Sequence, residues 1–113
     1  MKASELRIGN LLMHNGDQII YVISISIYGR INEPDYFHSE DLSPIPLTEE
    51  WFKLNNVPKV FSFAEEFFCS FDNGIVWVEE YGEGAFQLLH IKYVHLYQNL
   101  YFALTGEELE IKN

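Results

Sequence analysis

Tyr93-Val94-His95-Leu96-Tyr97-Gln98-Asn99-Leu100-Tyr101-Phe102-Ala103-Leu104-Thr105-Gly106 decides the class of fold. Tyr93, Val94, Tyr97, Leu100, Tyr101 and Leu104 recur at three- and four-residue intervals, the spacing of a helical face, and Gly106 stands where a helix-terminating residue belongs. The helix is nearly apolar all round, so it has to be covered. Its only polar stripe is His95, Gln98 and Asn99, at i, i+3 and i+4, and this stripe is the candidate binding set. Two readings of it are open: a buried polar set that fixes how the helix docks, or the solvated face, which is the default for three polar side chains.

The residues before this helix alternate as strands. Asp72-Asn73-Gly74 is the clearest hairpin signal in the chain and predicts that residues 67–71 pair with residues 75–80. Gly82-Glu83-Gly84 then turns into a third strand over residues 85–91, completing an antiparallel meander. Further upstream, Thr48 is placed to cap a short helix, with Glu49 and Glu50 in the first turn, where the helix dipole favours anions. Leu47 and Phe52 are spaced as a hydrophobic staple, and Asn55, Asn56 and Pro58 stop the helix. Pro44-Ile45-Pro46 must be extended, because proline disfavours helix at the preceding residue.

Nearer the N-terminus, Asn15-Gly16-Asp17 is a turn signal between a strand at residues 8–13 and a long one at residues 18–28. On the long strand Ile19, Tyr21, Ile23, Ile25 and Ile27 share one face, which is therefore the expected core face, together with Leu100, Tyr101 and Leu104 of the last helix. Gly29-Arg30 offers another turn. Residues 31–37 read as a weaker strand, and Pro34 consigns it to an edge. Leu109 and Ile111 could form a short edge strand in the tail. The expected architecture is α+β: a bent N-terminal antiparallel sheet resembling a small SH3-like barrel, a short helix, an antiparallel meander, and a C-terminal helix packed on the sheet. No repeat or linker divides the chain, so residues 1–113 read as one domain.

The sequence has 113 residues, 48% of them hydrophobic and 21% charged, which excludes a disordered tail. Seven Lys and Arg against 17 Asp and Glu leave a net charge of −10. A phosphate backbone would meet repulsion, so nucleic acid is not an expected partner, whereas a cationic protein would be steered inward. Such acids either only keep the protein soluble or imitate nucleic acid toward a basic target, and the first is the simpler account. The lone Cys69 has no disulfide partner, and no apolar stretch has signal-peptide or membrane-span length. Both point to a cytoplasmic protein without membrane insertion.

Three stretches carry a likeness to known sequences: Glu5-Leu6-Arg7-Ile8-Gly9-Asn10, then Pro44-Ile45-Pro46-Leu47-Thr48-Glu49-Glu50-Trp51, and Tyr93-Val94-His95 continuing through Gln98-Asn99-Leu100-Tyr101-Phe102-Ala103-Leu104-Thr105-Gly106-Glu107-Glu108-Leu109. In these the chain resembles a family of short proteins that recur in bacterial and prophage genomes. The resemblance implies a bacterial or phage cytoplasmic setting and brings no activity and no catalytic residue with it.

The residues themselves suggest little chemistry. His90 and His95 lack the companions of a metal site, so neither metal nor cofactor is expected. Cys69 among Phe67, Phe68 and Phe71 would be desolvated and kept neutral, the opposite of what a nucleophile needs. Glu79, Glu80 and Glu83 are most simply a solvated rim, although paired acids with a histidine, His90 or His95, could serve a small hydrolase. Aromatic residues make up 16% of the chain, enough to suggest an interface as well as a core. The functional expectation is a non-catalytic protein-interaction module of phage or mobile-element type, with the hydrolase as the alternative.

Overall fold

In the computed structural model, residues 5–23, 25 and 41–111 are described, and they fall into two compact units. The first takes its residues from Met1–Pro46 and Tyr93–Asn99, and the second from Leu47–Lys92 and Leu100–Asn113.

The first unit is built on a three-stranded antiparallel sheet of β1 (Leu11–His14), β2 (Gln18–Tyr21) and β3 (Leu42–Ser43), ordered β2-β1-β3. Asn15 at φ 53° and Gly16 at φ 79° make the tight connection between β1 and β2. Leu12 lies opposite Ile20, and these two pack with Leu6, Val22 and Leu42 in the core of the unit. The predicted core face is therefore the wrong one. Ile19, Tyr21 and Ile23 are 50%, 55% and 68% exposed, while Ile20 and Val22 are buried. Ile20 turns inward because Leu12 of β1 lies opposite it and Leu42 of β3 packs on the same side. β2 stops at Tyr21 instead of running to residue 28, so Ile25, which does pack on the core, need not share a face with Ile19 and Tyr21. Ile27, the turn at Gly29-Arg30 and the strand predicted at residues 31–37 lie outside the described residues.

Ile23→Ala is accordingly expected to change the unfolding free energy by no more than about 0.5 kcal/mol, as surface substitutions do. Val22→Ala, which removes two wholly buried methyl groups, should cost about 1.5 kcal/mol. Urea titration of the two variants checks the assignment, and a larger loss for the isoleucine would reverse it.

The second unit holds α1 (Glu49–Leu54) and a four-stranded antiparallel sheet of β4 (Val60–Phe63), β5 (Phe67–Asp72), β6 (Ile75–Glu80) and β7 (Gly84–Leu88), ordered β4-β5-β6-β7. The meander thus has one more strand than the turn signals suggest. Thr48 caps α1 as expected, its hydroxyl accepting from the Trp51 N–H at 3.1 Å. Asn55 ends the helix, with its side-chain amide donating to the Trp51 carbonyl at 2.9 Å. Phe52, from the same turn, stacks on Phe71 of β5 at 4.9 Å between ring centres, which fastens α1 to the sheet. Cys69 and Val78, and next to them Phe71 and Val76, are cross-strand pairs on the buried face of this sheet. Burial pushes the Cys69 thiol up to about 12, so it is an inert core group.

Helix α2 (Val94–Thr105) contributes residues 94–99 to the first unit and residues 100–105 to the second. Gly106, at φ 76°, ends it by donating its N–H to the Phe102 carbonyl at 2.8 Å. The buried residues of α2 are Val94, His95, Tyr97 and Gln98, whereas Leu100, Tyr101 and Leu104, expected in the core, are only partly buried. Tyr101 nonetheless packs edge-on against Phe61 of β4, 4.7 Å between centres. The α+β class holds, but neither described sheet closes into a barrel, and the residues around Leu109 and Ile111 form no strand. No helix among the described residues is long and apolar enough to cross a membrane.

Candidate functional site

The polar stripe of α2 is not a solvated face. Gln98 is 4% exposed, and its Oε1 accepts from the Leu11 N–H at 2.8 Å while its Nε2 donates to the Gly9 carbonyl at 3.1 Å. Asn99 Oδ1 accepts from Asn10 Nδ2 at 2.9 Å and from Arg7 Nη1 at 3.0 Å, and Asn99 Nδ2 donates to the Glu5 carbonyl at 2.8 Å. Asn10, itself buried, closes the set by accepting from the Arg7 N–H at 2.6 Å. The stretch at residues 5–10 makes no regular element, so its backbone groups need partners, and the amides of Gln98 and Asn99 supply them. With their donors and acceptors used within the unit, Gln98 and Asn99 act as a docking device for the helix.

Two separate segments hold α2 within the first unit. Residues 5–10 bond to the middle of α2, and Pro46 bridges Tyr93, while the Val94 N–H donates to the Ile45 carbonyl at 2.8 Å.

His95 differs from its two neighbours in the stripe. It is 1% exposed and stacked on Tyr93, and neither ring nitrogen has a hydrogen-bond partner among the described residues. Glu5 Oε2 stands 3.7 Å from Nε2, too far for a hydrogen bond, and it offsets only part of the effect of burial, which lowers the His95 pKa. The unfolded chain therefore binds the proton more readily than the folded one. Stability contributed by neutral His95 is complete above the ordinary histidine value near about 6.5 and is lost as pH falls through the lower folded value. Urea midpoints measured from pH 7.5 down to 5.5 should decline, and less steeply in His95→Phe. Equal slopes for the two proteins would contradict this.

The acids proposed as a catalytic rim are not brought together. Glu79 and Glu80 are consecutive on β6, so their side chains leave opposite faces of the sheet. Glu83 lies in the following turn, where its N–H donates to the Glu80 carbonyl at 3.0 Å, and His90 is exposed in the turn after β7. A groove of about 710 Å³ beside α1, lined by Glu50, Leu54 and Lys59 among others, contains none of these groups. Among the described residues, no cluster of three or more His, Cys, Asp or Glu side chains has the form of a metal site.

What the second unit does offer is β7, the last strand of its sheet, with no further strand paired to it among the described residues. Asn73 and Gly74, at φ 51° and 77°, form the two-residue turn that makes Asp72 and Ile75 a doubly bonded pair. Bonded and non-bonded pairs alternate from there. The Phe71 N–H accordingly turns to β4, donating to the Lys59 carbonyl at 2.8 Å, and the Tyr81 N–H reaches the Glu66 carbonyl at 2.9 Å. The same alternation turns Val76, Val78 and Glu80 toward Leu88, Phe86 and Gly84 of β7. Ala85 and Gln87 are left with their N–H and C=O groups directed off the sheet. Phe86 shares a face with buried Val78 and Cys69, yet it is 59% exposed, and Tyr81 and Leu89 at either end are exposed as well. Sequence reasoning identified the strand but not its position as an edge, because strand order depends on which distant segments pair.

No family model, curated protein or solved structure matches this chain in comparison with known proteins.

Proposed function

We propose that this chain is a non-catalytic protein-interaction module, of the phage or mobile-element kind its sequence resembles, and that it engages a partner along β7. The observation that carries this reading is an edge that no described strand covers, with outward backbone groups at Ala85 and Gln87 and an exposed Phe86 beside them. Free strand edges pair readily with another chain, and exposed aromatic side chains are typical interface anchors. The hydrolase alternative lacks support of this kind, since Glu79 and Glu80 face opposite sides of one strand. The test is capture from a bacterial lysate with the unaltered chain and with Phe86→Asp as baits, followed by identification of the retained proteins. A partner held by the first bait and lost from the second is the expected result. Identical captures would remove β7 from the binding surface, and hydrolytic turnover abolished by Glu79→Gln would replace the module with an enzyme.

A further inference from the structure

We infer that the occupant of the β7 edge is an extended protein segment in which basic and apolar side chains alternate, added to the sheet as a further strand. The inference rests on reading β7 as the binding edge and adds the chemistry of what binds there.

Three observations define the segment. The first is backbone spacing: Ala85 and Gln87, two residues apart, present the N–H and C=O pattern that an added strand satisfies. The second is the guard that is missing. Exposed edges are commonly protected by lysine, proline or an inward charge, and Gly84-Ala85-Phe86-Gln87-Leu88 has none of these. An apolar side chain of the incoming strand would lie beside Phe86 and cover it.

The third observation is charge. Residues 60–91 contain Glu65, Glu66, Asp72, Glu79, Glu80 and Glu83 and neither Lys nor Arg, so the four strands and the turns between them are anionic, and Lys59, just before β4, acts on Asp72 rather than on the acids of β6. Glu79 sits beside Ala85 and Glu80 beside Gly84, one on each face of the sheet. With strands about 4.8 Å apart, an added strand lies two spacings, about 10 Å, from β6, and a lysine on either face can extend over the small Ala85 or Gly84 toward Glu79 or Glu80. A second copy of the chain would instead set these acids against their own counterparts, an arrangement that like-charge repulsion opposes.

The experiment titrates the full chain with the synthetic peptide Lys-Val-Lys-Val-Lys-Val-Lys. Its comparison peptides are the same sequence with alternate amides N-methylated, one on each register, and the counterpart with glutamate for lysine. Hydrogen exchange at the Ala85 and Gln87 amides is followed in parallel. The lysine peptide is expected to bind and to slow both amides, with N-methylation on the bonding register weakening it at least about tenfold and the glutamate peptide failing to bind. Gln87→Pro removes an outward N–H without touching the ladder to β6 and should cause a similar loss. If that variant does not fold, the N-methylated pair on the unaltered chain decides alone. Equal binding of plain and N-methylated peptides would show attraction by charge only and overturn the inference. A concentration-dependent dimer seen by sedimentation, abolished by Gln87→Pro, would overturn it in favour of a second copy. Failure of the lysine peptide, with lysate capture still sensitive to Phe86→Asp, would discard the basic segment while leaving the interaction reading intact.

Discussion

Gln98→Leu is expected to lower the unfolding free energy by about 2–4 kcal/mol, although the new side chain is apolar, of similar size, and placed on a helix where leucine is favoured. The loss comes from what the glutamine leaves behind. Leu11 is 3% exposed, and its N–H finds the Gln98 Oε1 at 2.8 Å; with leucine present that donor is buried and unmet, and the Gly9 carbonyl loses its partner too. An orphaned buried group costs about 1–3 kcal/mol, which the Leu11 N–H incurs in full and the part-buried Gly9 carbonyl only in part, and together they outweigh any gain in apolar contact. Asn99→Ala provides the comparison. Asn99 is only partly buried, water can replace it at Arg7 and at the Glu5 carbonyl, and the loss should stay near about 1 kcal/mol. Denaturant titration of both variants measures the difference, and a loss below about 0.5 kcal/mol for Gln98→Leu would show that the amide is not what holds the helix.

Phe52→Ala should be costlier still, about 3–5 kcal/mol, against a total of about 5–15 kcal/mol typical of a folded domain. Phe52 is 2% exposed, with its ring 5.3 Å from that of Trp51 at 82° and 4.9 Å from that of Phe71 at 34°. Alanine removes apolar area and also leaves a cavity that α1, closed at one end by Thr48 and at the other by Asn55, cannot collapse to fill. Phe52→Leu, which keeps most of the volume, should recover more than half of the loss. If the alanine variant unfolds at the same urea concentration as the unaltered chain, the ring is not the fastening between α1 and β5 described above.

Local chemistry was legible without coordinates. Thr48, Glu49 and Asn55 delimit α1 because capping depends on residues three or four apart, and Asn73-Gly74 makes its hairpin because few other pairs accept two positive φ angles. Gly106 ends α2 for a related reason, and the phenylalanines beside Cys69 announce a buried thiol. Charge was legible in the same way: the want of Lys and Arg over residues 60–91 is a property of composition.

Three other features depended on partners far along the chain. Ile19, Tyr21 and Ile23 outnumber Ile20 and Val22, and periodicity alone selects the larger set; the opposite face is buried because Leu12 on β1 and Leu42 on β3 close over it. The stripe of His95, Gln98 and Asn99 suits water or an interior equally well by spacing. It was decided by the Leu11 N–H and the Gly9 and Glu5 carbonyls, nearly ninety positions away, which bond to the amides of Gln98 and Asn99. The position of β7 at the end of the described sheet is likewise an outcome of strand order. A sequence by itself determines turns, caps, charge and the period of each element, because those arise between near neighbours. Which face is buried, which polar group is used internally and which strand stays unpaired were settled only by tertiary structure, since each depends on burying one surface and satisfying one set of hydrogen bonds across large separations in the chain.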